Sequence, residues 1–145
     1  MFLDGFFEQA AERYPDDIAI EQGEIRYTYR QVDQASNKLA NYLLSKGIQP
    51  DDKVVILLPR CAFVPIAMLG VLKAGAAYIP LDPEIPVDRV NFIKQDSGAV
   101  LIITSDSILQ RIGKELDSGS LFNIDHDQVE MVGFLESENS QFFNV

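Results

Sequence analysis

The chain has 145 residues, enough to bury a hydrophobic core, and its 47% hydrophobic and 23% charged content argues against disorder. Its 22 acidic side chains against 12 basic ones give a net charge of −10, which repels phosphate backbones and excludes nucleic acid as a partner class. The longest apolar run, Cys61–Leu72, falls short of the ~20 residues that a membrane span needs and reads as a buried helix.

The single cysteine, Cys61, has no intrachain disulfide partner. The opening residues, MFLDGFFEQAAERYP, show no basic stretch followed by an apolar run. Both features point to a reducing cytoplasm. The charge is unevenly spread: residues 115–145 hold seven acids and no Lys or Arg, yet end on the apolar Phe142-Phe143-Asn144-Val145. That tail reads either as a solvated acidic face with a frayed end or as a segment that expects a covering partner.

Phe6, Phe7, Ala10, Ala11 and Tyr14 lie at helical spacing, and Pro15 closes that segment. Ile18 to Tyr29 reads as two short strands around Gln22-Gly23, a hairpin. Thr28 and Gln31 have the spacing of a capping box, and behind them Val32, Ala35, Leu39, Leu43 and Leu44 form an apolar stripe, with Gly47 placed for the C-terminal cap. Asp51-Asp52 reads as the turn that follows.

Lys53–Leu58 is a short β-branched run closed by Pro59, as suits a strand covered on both faces. A helix from Phe63 to Lys73 ends near Gly75, and Ala77–Leu81 is a second strand that Pro80 confines to a sheet edge or a strand end. Pro86 is placed to open a helix running to Gly98, and Val100–Ile103 is a third strand. Ser105–Leu116 reads as a weaker helix, Leu121–Ile124 as a fourth strand and Gln128–Leu135 as a last helix. Strand and helix alternating in units of about 25 residues predict an α/β fold: a partial parallel sheet flanked by helices, with a short N-terminal β-hairpin.

Catalytic patterns are few. Gly70 to Gly75 has the glycine spacing of a phosphate loop, but Ala76 and Ala77 follow where Lys and Ser or Thr would be needed, so the spacing reads as chance. Cys61 would need a base beside it to act as a nucleophile, and the only histidine, His126, is 65 residues away, so a buried structural thiol is the better reading. Asp125-His126-Asp127 offers three ligand-type side chains in a row, which rarely converge on one ion and instead suit a loop or helix start. No catalytic, cofactor-binding or metal-binding residue is assigned.

The most specific stretch is Leu72 to Pro83, LKAGAAYIPLDP, followed by Pro86-Val87-Asp88-Arg89-Val90. It resembles the early core of adenylation domains from nonribosomal peptide synthetases, within the AMP-forming acyl-CoA synthetase and luciferase superfamily. Tyr27-Thr28-Tyr29, the helix with Asn37, Leu39, Ala40 and Leu43, and Gly47 with Asp51 to Leu58 match further blocks of that family. Asp51 stands where the family usually has Gly. Arg60-Cys61-Ala62-Phe63 departs from its Arg-Ser pattern, and Ile85 and Asp88 replace its Tyr and Glu. The resemblance runs from about Phe7 to Ser105. Residues 1–105 thus read as the N-terminal part of an adenylation core, and 106–145 as an acidic segment of weaker resemblance.

The resemblance implies an enzyme that joins a carboxylate to AMP and passes the acyl group to a thiol. In that family the ATP phosphates rest on a Ser/Thr/Gly-rich loop ending in Pro-Lys-Gly, which these residues lack. The expectation is a truncated scaffold portion of an amino-acid-activating domain, inactive alone, with ATP and Mg bound only by the complete domain. Its expected partner is the remainder of such a domain or another copy of itself. The competing expectation is a stand-alone, non-catalytic interaction module derived from the same fold.

Overall fold

A computed structural model describes residues 3–116 and 119–125. The elements are α1 (Leu3–Arg13), β1 (Ile18–Gln22), β2 (Ile25–Thr28), α2 (Tyr29–Ser45), β3 (Lys53–Ile56) and α3 (Phe63–Lys73). They continue with β4 (Ala77–Pro80), α4 (Val87–Ser97), β5 (Leu101–Thr104), α5 (Asp106–Ile112) and β6 (Leu121–Asn123).

β1 and β2 form an antiparallel hairpin with Gly23 in the left-handed region at φ 60°. The chain then enters α2 through the capping box. Thr28 Oγ1 accepts from the Gln31 N–H at 3.2 Å, and Gln31 Oε1 accepts from the Thr28 N–H at 2.9 Å. Two N–H groups that helix geometry leaves unpaired are satisfied by one residue pair. Val32, Ala35, Leu39 and Leu43 are buried as the stripe requires, whereas Leu44 is 48% exposed. It lies one residue, about 100° of helix rotation, beyond Leu43. Gly47 reverses the chain at φ 96°.

The other four strands form one parallel sheet in the order β4-β3-β5-β6. β3 lies inside it, and Val54 to Leu58 are all buried, because the sheet is covered on both faces. On one face Val54, Ile56, Leu58, Ile103 and Phe122 pack with α2 and α3. On the other, Val55, Leu57 and Ile102 pack with α4 and α5 through Val90, Ile108 and Ile112. The change of face follows from handedness. β3 to β4 steps one way along the sheet and β4 to β5 steps back, so right-handed crossovers put α3 and α4 on opposite sides. β4 is an edge strand ending on Pro80, as proline demands.

The remaining differences from the sequence reading are shifts of boundary. β5 begins at Leu101 because Val100 is still 41% exposed at the sheet rim. α5 stops at Ile112, and turns carry the chain on to Leu116, which remains buried. Pro86 is the cap of α4, with Val87 the first helical residue. The helix expected over Gln128–Leu135 lies outside the described residues.

Candidate functional site

In an open parallel sheet the place for a ligand is beyond the carboxyl ends of the strands, where neighbouring strands send their chains to opposite sides. Here that point lies between β3, which leads to α3, and β5, which leads to α5. A crevice of about 350 Å³ opens there, lined by Pro59, Cys61, Ser105, Asp106, Gln110 and Asp125 among others. Sequence reasoning singled out Cys61 and Asp125 separately, and the fold brings both to this crevice. Ser105, Asp106 and Gln110 carried no such signal, because only the crossover through α4 places β5 beside β3.

The carboxylates are committed to structure. Asp125 Oδ2 accepts from the Asp106 N–H at 2.7 Å, which caps the start of α5. Asp106 Oδ1 accepts from Asn123 Nδ2 at 2.9 Å, and Asn123 Oδ1 accepts from the Asp125 N–H at 2.9 Å. Ser105 and Ser107 share a hydroxyl–hydroxyl bond of 3.0 Å. Asp125 thus lies in a turn after β6, as the loop alternative expected, with its side chain reaching the start of α5, while His126 and Asp127 lie outside the described residues. Among the described residues no three ligand-type side chains cluster to hold a metal.

Cys61 is half-buried, a little more open than the sequence reading supposed. Burial pushes its thiol above the ordinary value; the Phe63 and Val64 N–H groups pull the other way, and the Asp125 carboxylate adds the smallest push, upwards. Such a thiol is protonated at neutral pH and is a poor nucleophile. Its loop is held by Gln22, whose Oε1 accepts from the Ala62 N–H at 2.8 Å and whose Nε2 donates to Arg60 O at 3.3 Å.

The glycines of the apparent phosphate loop are structural. Gly70 lies within α3, where α2 approaches so closely that a β-carbon would meet Leu39 Cδ2 at 2.6 Å. Gly75 closes α3 at φ 83°. Lys73 does not reach a ligand site either. Its side chain is only 5% exposed, and its ammonium donates to Asp33 Oδ1 (2.7 Å), Ser36 Oγ (2.8 Å) and Asn37 Oδ1 (2.9 Å). With Asp33 O at 3.3 Å as a fourth acceptor, all three donors are met, so the buried charge is satisfied. Lys73 and Asn37 came from separate blocks of the family pattern, and their contact is one bolt between α2 and α3. As lined by the described residues the crevice does not fit a nucleotide triphosphate: two carboxylates face it, no Lys or Arg is among those residues, and the first N–H of α5 is already taken.

This layered α/β unit belongs to the AMP-binding enzyme family, whose model matches residues 7–142. The match continues past Ser105, where the resemblance of individual residues fades. Its relatives are nonribosomal peptide synthetases. The chain is 37% identical over 115 residues to gramicidin S synthase 2 of Brevibacillus brevis, a match covering 79% of this chain and 3% of that protein. It is 42% identical over 109 residues to the phosphinothricin tripeptide synthetase PhsC of Streptomyces viridochromogenes, covering 75% and 10%. The AMPPNP-bound form of the nonribosomal peptide synthetase FmoA3 superposes with a TM-score of 0.76 at 30% identity, covering 86% of this chain and 13% of that one. The chain therefore spans a small fraction of the length of the proteins it matches.

Proposed function

We propose that the chain is the N-terminal scaffold portion of an amino-acid-activating, AMP-forming adenylation domain and has no adenylating activity by itself. In this reading residues 1–105 supply the first strands and helices of the core, and residues 106–145 are its acidic continuation. The amino acid, ATP and Mg would be bound by residues of a complete domain. The observation that carries the reading is the crevice at the switch point. It has the position of an α/β ligand site but presents Asp106 and Asp125, and among the described residues no cation lines it to meet a phosphate.

Adenylate formation needs the triphosphate held in line with a carboxylate and donors aimed at the charge that develops. Here Lys73 is spent on the α2–α3 contact, and the α5 N-terminus is capped by a carboxylate. What these residues do is hold a sheet rigid, so that loops at its carboxyl edge keep their positions.

The test is amino-acid-dependent ATP–pyrophosphate exchange, measured with the chain alone and with the separately produced remainder of an adenylation domain. The expected result is no exchange alone and exchange on addition of the remainder. Robust exchange by the lone chain would overturn the reading. No exchange in either arm would favour a non-catalytic interaction module.

A further inference from the structure

The loop between β3 and α3 is bonded to a part of the chain 38 to 40 residues before it. The Leu57 N–H still donates to Ile103 O at 2.9 Å, and the chain then leaves the sheet towards α3. Beyond that point the Arg60 carbonyl and the Ala62 N–H take the Gln22 side-chain amide as their partner, at 3.3 and 2.8 Å. A primary amide carries a donor and an acceptor side by side, so Gln22 gives this loop what the peptide groups of a neighbouring strand would give. Ala62 is only 2% exposed, so water does not easily replace the bond to its N–H. Cys61 stands between the two bonded residues and lines the crevice at the switch point. The hairpin that carries Gln22 is a separate two-stranded sheet. Its base is tied to the start of α2, where the Tyr29 N–H donates to Asp17 O and the Arg30 N–H to Pro15 O, both at 3.0 Å. Gln22 ends β1 at the opposite, turn end, beside Gly23 at φ 60°. Tyr27 of β2 reaches the same junction: burial, and then the neighbouring Cys61, hold its phenol above the ordinary value.

We propose that the β1–β2 hairpin is a lever latched through Gln22 onto the β3–α3 loop, so that a displacement of its turn frees residues 60–62 at the switch-point crevice. The latch is one side chain. Releasing it removes the partner of the buried Ala62 N–H, while the hairpin ladder and the bonds at its base stay intact. The loop then opens locally, ahead of the sheet beneath it, because Val54 to Leu58 keep their buried contacts on both faces. Movement at the exposed turn is thereby passed to Cys61 without any change in the parallel sheet.

The experiment follows amide hydrogen exchange at Ala62 in the whole chain, with the Leu39 amide in α2 as the monitor of global unfolding and iodoacetamide alkylation of Cys61 as a second readout. Gln22→Ala should speed exchange at Ala62 by about tenfold or more while changing Leu39 by less than about threefold, and Cys61 should alkylate faster. Gln22→Glu keeps an acceptor for the Ala62 N–H and should retain most of the protection. Gly23→Val moves the lever from its far end: a β-carbon there meets nothing within 4 Å, so the variant strains only the backbone of the turn. It should speed Ala62 in the wild-type background and add nothing in the Gln22→Ala background, since both act through one bond. Unchanged Ala62 exchange in Gln22→Ala, or equal acceleration at Ala62 and Leu39, would overturn the latch. Equal exchange in Gln22→Glu and Gln22→Ala would deny the hydrogen bond its role. No effect of Gly23→Val would make Gln22 a fixed brace, and unchanged Cys61 alkylation would separate the loop from the crevice. Either result would also overturn the proposal.

Discussion

Replacing Gly70 by alanine tests whether the glycine spacing of α3 serves packing. An ideal β-carbon at residue 70 would sit 2.6 Å from Leu39 Cδ2, 2.8 Å from Cγ and 3.0 Å from Cβ. The far end of a leucine can rotate away, but its Cβ cannot, so α2 and α3 must part. Overpacking of this kind costs about 1–3 kcal/mol, while replacing glycine by alanine in a helix gains about 1 kcal/mol. The clash should win, leaving Gly70→Ala less stable by up to about 2 kcal/mol. Leu39 is fully buried, so Leu39→Ala alone should lose about 2–5 kcal/mol through its cavity. In the double variant the new methyl fills part of that cavity. The combined loss should therefore fall short of the sum by about 1 kcal/mol or more. Urea unfolding followed by circular dichroism gives all four corners of the cycle. Stabilisation by Gly70→Ala, or additivity to within about 0.5 kcal/mol, would refute the packing argument.

Lys73→Met keeps the side-chain stem but removes the ammonium that joins Asp33, Ser36 and Asn37. The loss should be about 1–3 kcal/mol by urea unfolding, below the full cost of a broken buried pair because water reaches Asp33; no loss would mean an inert surface contact. Asp51 occupies the left-handed region at φ 68°, which costs a residue with a β-carbon about 1–2 kcal/mol. Allowing for glycine's greater entropy loss on folding, Asp51→Gly should gain up to about 1 kcal/mol, and a lowered Tm would contradict the assignment of strain. The Cys61 thiol is held above its ordinary value, so alkylation at neutral pH should be slow and should rise with pH at a midpoint above that of a free cysteine. Because the folded value is raised, this group's stabilisation is complete below the free thiol's value of about 8.5 and is lost as pH climbs through the folded value; rapid alkylation at pH 7 would refute the account.

Much of this fold depends on signals carried by a few adjacent residues, and those were legible. The Thr28–Gln31 capping box, the Phe63–Lys73 helix and the proline-limited edge strand at Ala77 follow from local hydrogen bonding, apolar periodicity and the missing N–H of proline. The family, too, could be read from LKAGAAYIPLDP and its upstream blocks before any coordinates. Leu44 and the short α5 were misjudged because propensity fixes a helix's existence better than which of two neighbouring residues faces the core, or where the last turn frays.

The relations between distant segments came from the fold. The strand order β4-β3-β5-β6 sets β3 beside β5, and that adjacency brings Cys61, Ser105 and Asp125 to one crevice. That Gly70-to-Gly75 lacks a phosphate loop's lysine is plain from the residues in order, whereas that Gly70 makes room for Leu39 is not. Lys73 likewise carries no sign that its charge is consumed by Asp33 and Asn37, some 36 to 40 residues away. Local rules act through neighbours in the chain, whereas burial and charge pairing act through neighbours in space. Those neighbours exist only once the crossovers have closed.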